Sequence, residues 1–152
     1  MADDMKGQLE VEVEIKSSAE KFFNFWKVQP HQVPNHTPSN IQAVHVHEGD
    51  WETPGSIRIW HYTVEGKPGK LKERAELDEE NKIVKLIGLE GDVFEHYKVY
   101  NPIWHPKPKN EGSLVTVAIE YEKRNSSVPV PQIYVDFMVN MTKEIDEALV
   151  KA

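Results

Sequence analysis

Glu73 is the carboxylate whose surroundings in sequence could give it chemistry. It shares strand parity with Leu71, Ala75 and Leu77, while Lys70, Lys72, Arg74 and Glu76 take the other face. A carboxyl turned toward an apolar interior is costly to ionise, so its pKa rises toward the range in which it can exchange protons. Tyr62 and Tyr97 are the phenols that could act with it as acid or base. The competing reading places Glu73 in a surface salt bridge, because its strand is nearly all charged and a bulge would reverse the parity.

Other groups carry less. His45 and His47 lie two residues apart, a spacing that metal sites can use, but no third ligand is visible. Val44 and Val46 form the more apolar face of that stretch, so the histidines are expected outward and no metal is expected. His31, His36, His61, His96 and His105 are scattered and form no triad with a serine and a carboxylate. The chain has no cysteine, which excludes disulfides, thiolate metal sites and cysteine nucleophiles. The loop Gly49-Asp-Trp-Glu-Thr-Pro-Gly55 is a poor phosphate cradle: Glu52 adds negative charge, Pro54 removes a donor, and no Lys-Ser/Thr pair follows. It reads as a rigid turn.

The elements that must position these residues are marked by periodicity. Leu9, Val11, Val13 and Ile15 alternate with Glu10, Glu12 and Glu14, which predicts a half-buried strand. Ser17-Ser-Ala-Glu20 forms a capping box before Phe22, Phe23, Phe25 and Trp26, predicting a short helix. Pro30, Pro34 and Pro38 then allow about one helical turn between breaks. Strands are expected at Ile41–Glu48, Ser56–Val64, Lys70–Asp78, Lys82–Leu89, Phe94–Ile103 and Leu114–Lys123, joined by hairpin-length loops and so antiparallel. After Pro129 and Pro131, Ile133, Phe137, Met141, Ile145 and Ala148 fall at helical spacing, with Tyr134, Met138 and Leu149 beside them. Ile133, Phe137, Met138 and Met141 are expected to face the sheet. The order is α+β: a seven-stranded antiparallel sheet covered by one long C-terminal helix with two short helices. One helix cannot easily fill so large a concavity, so a ligand cavity lined by sheet and helix is expected.

Composition narrows the function. The 152 residues suit a single domain over 1–152. Lys and Arg number 18 against 25 Asp and Glu, a net charge of −7 with no basic patch, so nucleic acid is a poor partner. No apolar run approaches the roughly 20 residues of a membrane span. The N-terminal stretch lacks the apolar run of a secretory signal, which predicts a cytoplasmic protein whose sequons at Asn35, Asn125 and Asn140 go unused.

Four separated stretches carry a family resemblance: Asn40-Ile-Gln-Ala-Val-His-Val-His-Glu-Gly-Asp-Trp51, Leu77-Asp-Glu-Glu-Asn-Lys82, Leu89-Glu-Gly-Asp92 and Ile119-Glu-Tyr-Glu-Lys123. In order and spacing the chain from about Leu9 to Leu149 resembles the plant major latex proteins, within the birch-pollen-allergen and class-ten pathogenesis-related superfamily. The resemblance implies a helix-grip fold, with the sheet curled round the C-terminal helix. It also implies a large interior pocket for apolar or amphipathic molecules such as sterols, fatty-acid-like compounds and alkaloids, without a cofactor. It implies that Trp60 and Tyr62 face inward. Strand parity adds Val84, Leu86 and Gly88, then Tyr97, Val99 and Asn101, then Val115, Val117, Ile119 and Tyr121. Gly88 replaces a branched apolar residue of the relatives and is expected to leave extra room.

The expected ligand wall is therefore Trp60, Tyr62, Leu86, Gly88, Tyr97, Val99, Val117, Ile119, Phe137, Met138 and Met141, the methionines adding adaptability. The leading reading is a carrier or sequestering protein, with a defence or stress role and unknown protein partners. The alternative is a cofactor-independent enzyme of specialised metabolism, performing isomerisation, condensation or elimination with Glu73 and Tyr62 or Tyr97 in the same pocket.

Overall fold

A computed structural model describes residues 5–151, so the two N-terminal acids Asp3 and Asp4 lie outside the described residues. Strand β1 (Lys6–Ile15) opens the chain, followed by helix α1 (Ala19–Val28), a 3-10 turn (Pro30–Gln32) and the single-turn helix α2 (Val33–His36). Strands β2 (Ile41–Glu48), β3 (Ile57–Val64), β4 (Lys67–Asp78), β5 (Ile83–Gly91), β6 (Tyr97–Pro108) and β7 (Ser113–Lys123) follow, and α3 (Gln132–Lys151) closes the chain. The strands form one antiparallel sheet in the order β1-β7-β6-β5-β4-β3-β2. The sheet curls round α3, as the helix-grip expectation requires.

Alternation works as expected where register is simple. Val13 and Ile15 of β1 are buried opposite Val115 and Ser113 of β7, while Glu10, Glu12 and Glu14 face solvent. Along β3, Arg58, Trp60, Tyr62 and Val64 are buried in strict alternation. The turn into β4 is tighter than the predicted loop. Glu65 (φ 51°) and Gly66 (φ 76°) form it alone, and Lys67 already pairs with Val64.

Three local expectations are corrected. The helix cap is Ser18, whose Oγ accepts from the Lys21 N–H at 3.1 Å, so the capping box does not start at Ser17. Ser17 is buried instead, with its N–H on Asp146 of α3. Phe94 lies in a 3-10 turn (Asp92–Glu95), and β6 runs on to Pro108. Its prolines are tolerated beside a sparsely paired neighbour, since β5 meets β6 only at Val84–Trp104 and Lys85–Ile103. Ile133 is 41 % exposed, and α3 buries Val135, Met138, Met141, Thr142, Ile145, Asp146 and Leu149.

Polar ties fix α3 against the sheet. Asp146 accepts from the backbone N–H groups of Lys16 and Ser17 at 3.0 and 2.9 Å, where β1 turns into α1. Glu144 accepts from Thr37 and Asn40 at the α2–β2 junction, and Lys21 Nζ donates to the Leu149 carbonyl. The Trp104 indole N–H donates to Thr142 Oγ1 at 3.0 Å, and that hydroxyl donates to the Met138 carbonyl. The helix therefore sits at a fixed depth over β6, and this depth sets the size of the space beneath it.

A candidate ligand cavity with a buried carboxyl

Beneath α3 the sheet and helix enclose about 40 Å³. Trp26 of α1 and Ile41 of β2 close one end. Trp60 and Tyr62 of β3, Leu71 and Glu73 of β4, Leu86 of β5, and Tyr100, Pro102 and Trp104 of β6 make the floor. Tyr134, Phe137, Met138 and Met141 of α3 make the roof. This space is far smaller than the large pocket the resemblance implies, because aromatic rings fill it. Trp26 stacks on Trp104 with centroids 4.4 Å apart, Tyr62 meets Phe137 at 5.9 Å, and Tyr100 meets Tyr134 edge-on at 5.5 Å.

A second, open groove of about 580 Å³ lies outside, between the β3–β4 turn, the 3-10 turn and the approach to α3. Glu65, Lys67, Asp92, His96, Tyr97, Val128 and Pro129 are among its walls. Tyr62 and Tyr134 line both spaces, so these two rings are the partition between them. The hydroxyl end of the Tyr62 ring lies against Gly69: a Cβ there would stand 2.5 Å from its Cζ.

Six of the expected wall residues reach the inner cavity: Trp60, Tyr62, Leu86, Phe137, Met138 and Met141. Tyr97 lines the outer groove, and its hydroxyl donates to the Pro129 carbonyl at 2.7 Å. Val99 is 36 % exposed, and Asn101 spends its side chain on the Gly88 N–H and Glu120. A register shift between Tyr97 and Val99 turns β6 over, so Tyr100, Pro102 and Trp104 point inward instead. Gly88 leaves no extra room, since a Cβ would come within 2.3 Å of the Tyr100 carbonyl. Val117 and Ile119 are fully buried core outside the cavity wall, packed opposite Val11 and Leu9.

Glu73 points inward. It is 3 % exposed, lines the inner cavity, and its Oε2 has no hydrogen-bond partner in the protein. Burial pushes its carboxyl up to about 8, with the Arg58 charge pulling the other way. Arg58 stands directly across the β3–β4 ladder and is 2 % exposed. Its guanidinium is claimed by the Gly49–Gly55 loop, where Nη2 donates to the Trp51 carbonyl at 2.8 Å and the charge sits 5.6 Å from the Trp51 ring. The indole N–H groups of Trp26 and Trp60, both on the cavity wall, are likewise buried without partners.

Burial raises Tyr62 and Tyr100, and pushes Tyr97 up to about 12. These phenols hold their protons at neutral pH, so they suit donation and not the role of base. Arg58 shares parity with Trp60 and Tyr62, and the apolar alternation Tyr100-x-Pro102-x-Trp104 marks the turned-over half of β6. Both signals stand in the sequence.

The remaining candidates lie elsewhere. His45 and His47 are exposed, and His45 meets His61 edge-on at 5.0 Å. Among the described residues no three His, Asp or Glu groups come together as a metal would need. In the Gly49–Gly55 loop the Thr53 side chain, then the N–H groups of Thr53 and Glu52 that Asp50 accepts, hold the Asp50 carboxyl below its usual range and make the loop a self-capped turn. Among the described residues no helix is long and apolar enough to cross a membrane.

The model of the pathogenesis-related protein Bet v 1 family matches residues 4–152. MLP-like protein 43 of Arabidopsis thaliana is 41 % identical over 152 residues, covering 97 % of this chain and 96 % of its own. Ginseng major latex-like protein 151 from Panax ginseng superposes with a TM-score of 0.92 at 38 % identity, covering 96 % of this chain and 99 % of that one. A Thalictrum norcoclaurine synthase shares the fold alone, at 16 % identity and a TM-score of 0.75, covering 96 % of this chain and 95 % of that one. The chain belongs to the Bet v 1 family, on its major latex protein branch.

Proposed function

We propose that this protein binds an apolar or amphipathic small molecule between the sheet and α3, as a cytoplasmic carrier or sequestering protein in plant defence or stress. The observation that carries the reading is the aromatic cavity of Trp60, Tyr62, Tyr100 and Phe137, parted by only two tyrosine rings from an outer groove of ligand size. Apolar contact supplies most of the affinity, at about 25 cal/mol per Å² removed from water. An anilinonaphthalene dye should bind saturably at neutral pH and be displaced by a fatty alcohol. Met141→Trp, which fills the cavity with a ring, should weaken that binding tenfold or more. A folded variant that binds the dye as well as the native chain would move the site elsewhere.

One observation favours the enzyme reading. Glu73 is a carboxyl held near neutrality in an aromatic cavity, which is how proteins make a general acid. Under that reading Glu73→Gln costs about 10² to 10⁴ in turnover on a panel of phenolic and alkaloid substrates while binding survives. Tyr62 then contributes a proton-bearing hydroxyl, and Tyr97, tied to Pro129, shapes the entrance. Wild-type turnover matched by the glutamine variant would remove Glu73 from any such mechanism.

A further inference from the structure

We propose that the inner cavity is a recognition site for a neutral oxygen head, a ketone or an alcohol, whose apolar body passes between Tyr62 and Tyr134 into the outer groove. This rests on the binding reading above and names the chemistry it selects. The inner space of about 40 Å³ holds a few heavy atoms and no more, whereas the groove beyond the two rings holds a body.

The head chemistry follows from the polar atoms left over. Three cavity residues bring polar atoms that nothing in the protein satisfies: the indole N–H groups of Trp26 and Trp60, and the Oε2 of Glu73. Indoles only donate, and a protonated carboxyl donates once and accepts once. A ketone oxygen takes such donors with its two lone pairs, and a hydroxyl can also return one. Each pairing removes the penalty of a buried polar group left unmatched.

Charged heads fit less well. A carboxylate would face Glu73, and an ammonium would add a second cation beside Arg58, which already stands across the ladder from that residue. The ionisable groups facing Glu73 are Arg58 and Tyr62 of β3, Tyr100 of β6 and, across the cavity, Tyr134 of α3. The three phenols are raised by burial and stay neutral, so Glu73 is the group that titrates first. With its carboxyl pushed up to about 8, only about a tenth of the protein is in the donating form at pH 9.

The test is dye displacement by five eight-carbon probes: 2-octanone, 1-octanol, octane, octanoate and octylamine. At pH 7 the ketone and alcohol should bind at least tenfold tighter than octanoate and octylamine. Glu73→Leu should weaken 2-octanone about tenfold while octane binds at least as well as before. In the native protein, 2-octanone should weaken about tenfold from pH 7 to pH 9. The alcohol should change little, because its hydroxyl can donate to the ionised carboxylate. Octylamine binding tightest would overturn the proposal in favour of an ammonium–carboxylate pair. Equal losses for octane and 2-octanone in Glu73→Leu, or a ketone affinity indifferent to pH, would reduce Glu73 to packing. If none of the five displaces a bound dye, or no dye binds, the binding reading itself fails.

Discussion

Glu73→Gln should stabilise the protein at pH 9 by roughly 3–5 kcal/mol relative to the native chain and change it little at pH 5. The unfolded carboxyl titrates near 4.5 and the folded one near 8. Between those values the folded state holds a proton that the unfolded state has lost, so stability falls as pH rises. Below 4.5 the contribution is fully present, and it disappears as pH passes through 8. The steepest slope is about 1.4 kcal/mol per pH unit for one proton. Glutamine cannot ionise, so its difference from the native chain isolates this one group from every other titration. Urea unfolding of both proteins at pH 5, 7 and 9 reads it directly. Parallel pH profiles would mean that Glu73 ionises freely in the folded state, and the buried placement would be wrong.

Asp146→Ala should cost about 3 kcal/mol, and a melting temperature lower by about 10 °C. The carboxylate accepts two backbone N–H groups, from Lys16 and Ser17, and it is only 7 % exposed. Removing it leaves two donors without partners at the corner where β1 ends and α1 begins. The same corner is held by the Ser113 hydroxyl on the Ser17 carbonyl, so the loss is local and the sheet survives. Asp146→Asn keeps one acceptor oxygen and should cost less than half as much. A loss under 1 kcal/mol for the alanine variant would show that water satisfies these donors, and that α3 owes its depth to apolar packing alone.

Much of this architecture could be read from the chain because strand alternation has a period of two. The faces of β1 and β4 follow from it, including the inward side of Glu73 that its charged neighbours argued against, and the face of β3 follows once the resemblance turns Trp60 and Tyr62 inward. Parity failed in β6 for a physical reason. The extra residue near Lys98 turns the strand over, exchanging Val99 and Asn101 for Tyr100 and Pro102 on the inner face. No local composition announces a bulge, because the ladder partner that it skips lies on β7. Pro106 and Pro108 hid the length of β6 for a related reason: whether a missing donor matters depends on how fully the neighbouring strand pairs. Gly88 was misread because a missing side chain can be filled by a neighbour's backbone, here the Tyr100 carbonyl. Cavity size lies beyond sequence altogether, since it depends on how Tyr62, Tyr100, Tyr134 and Phe137 stack.

Tryptophan offers the most direct test that ligand enters between sheet and helix. Of the four tryptophans, Trp26, Trp60 and Trp104 line the inner cavity and Trp51 lies on the Gly49–Gly55 loop. Trp51→Phe therefore leaves fluorescence from the cavity alone. Bromine quenches only at contact range, so an eight-carbon alcohol carrying its bromine on the carbon next to the hydroxyl reports occupancy of that space. Saturable quenching of the Trp51→Phe protein, reversed by 1-octanol, is the result expected here. Saturable displacement of a dye by the same alcohol, with cavity fluorescence unchanged, would place the ligand in another part of the molecule.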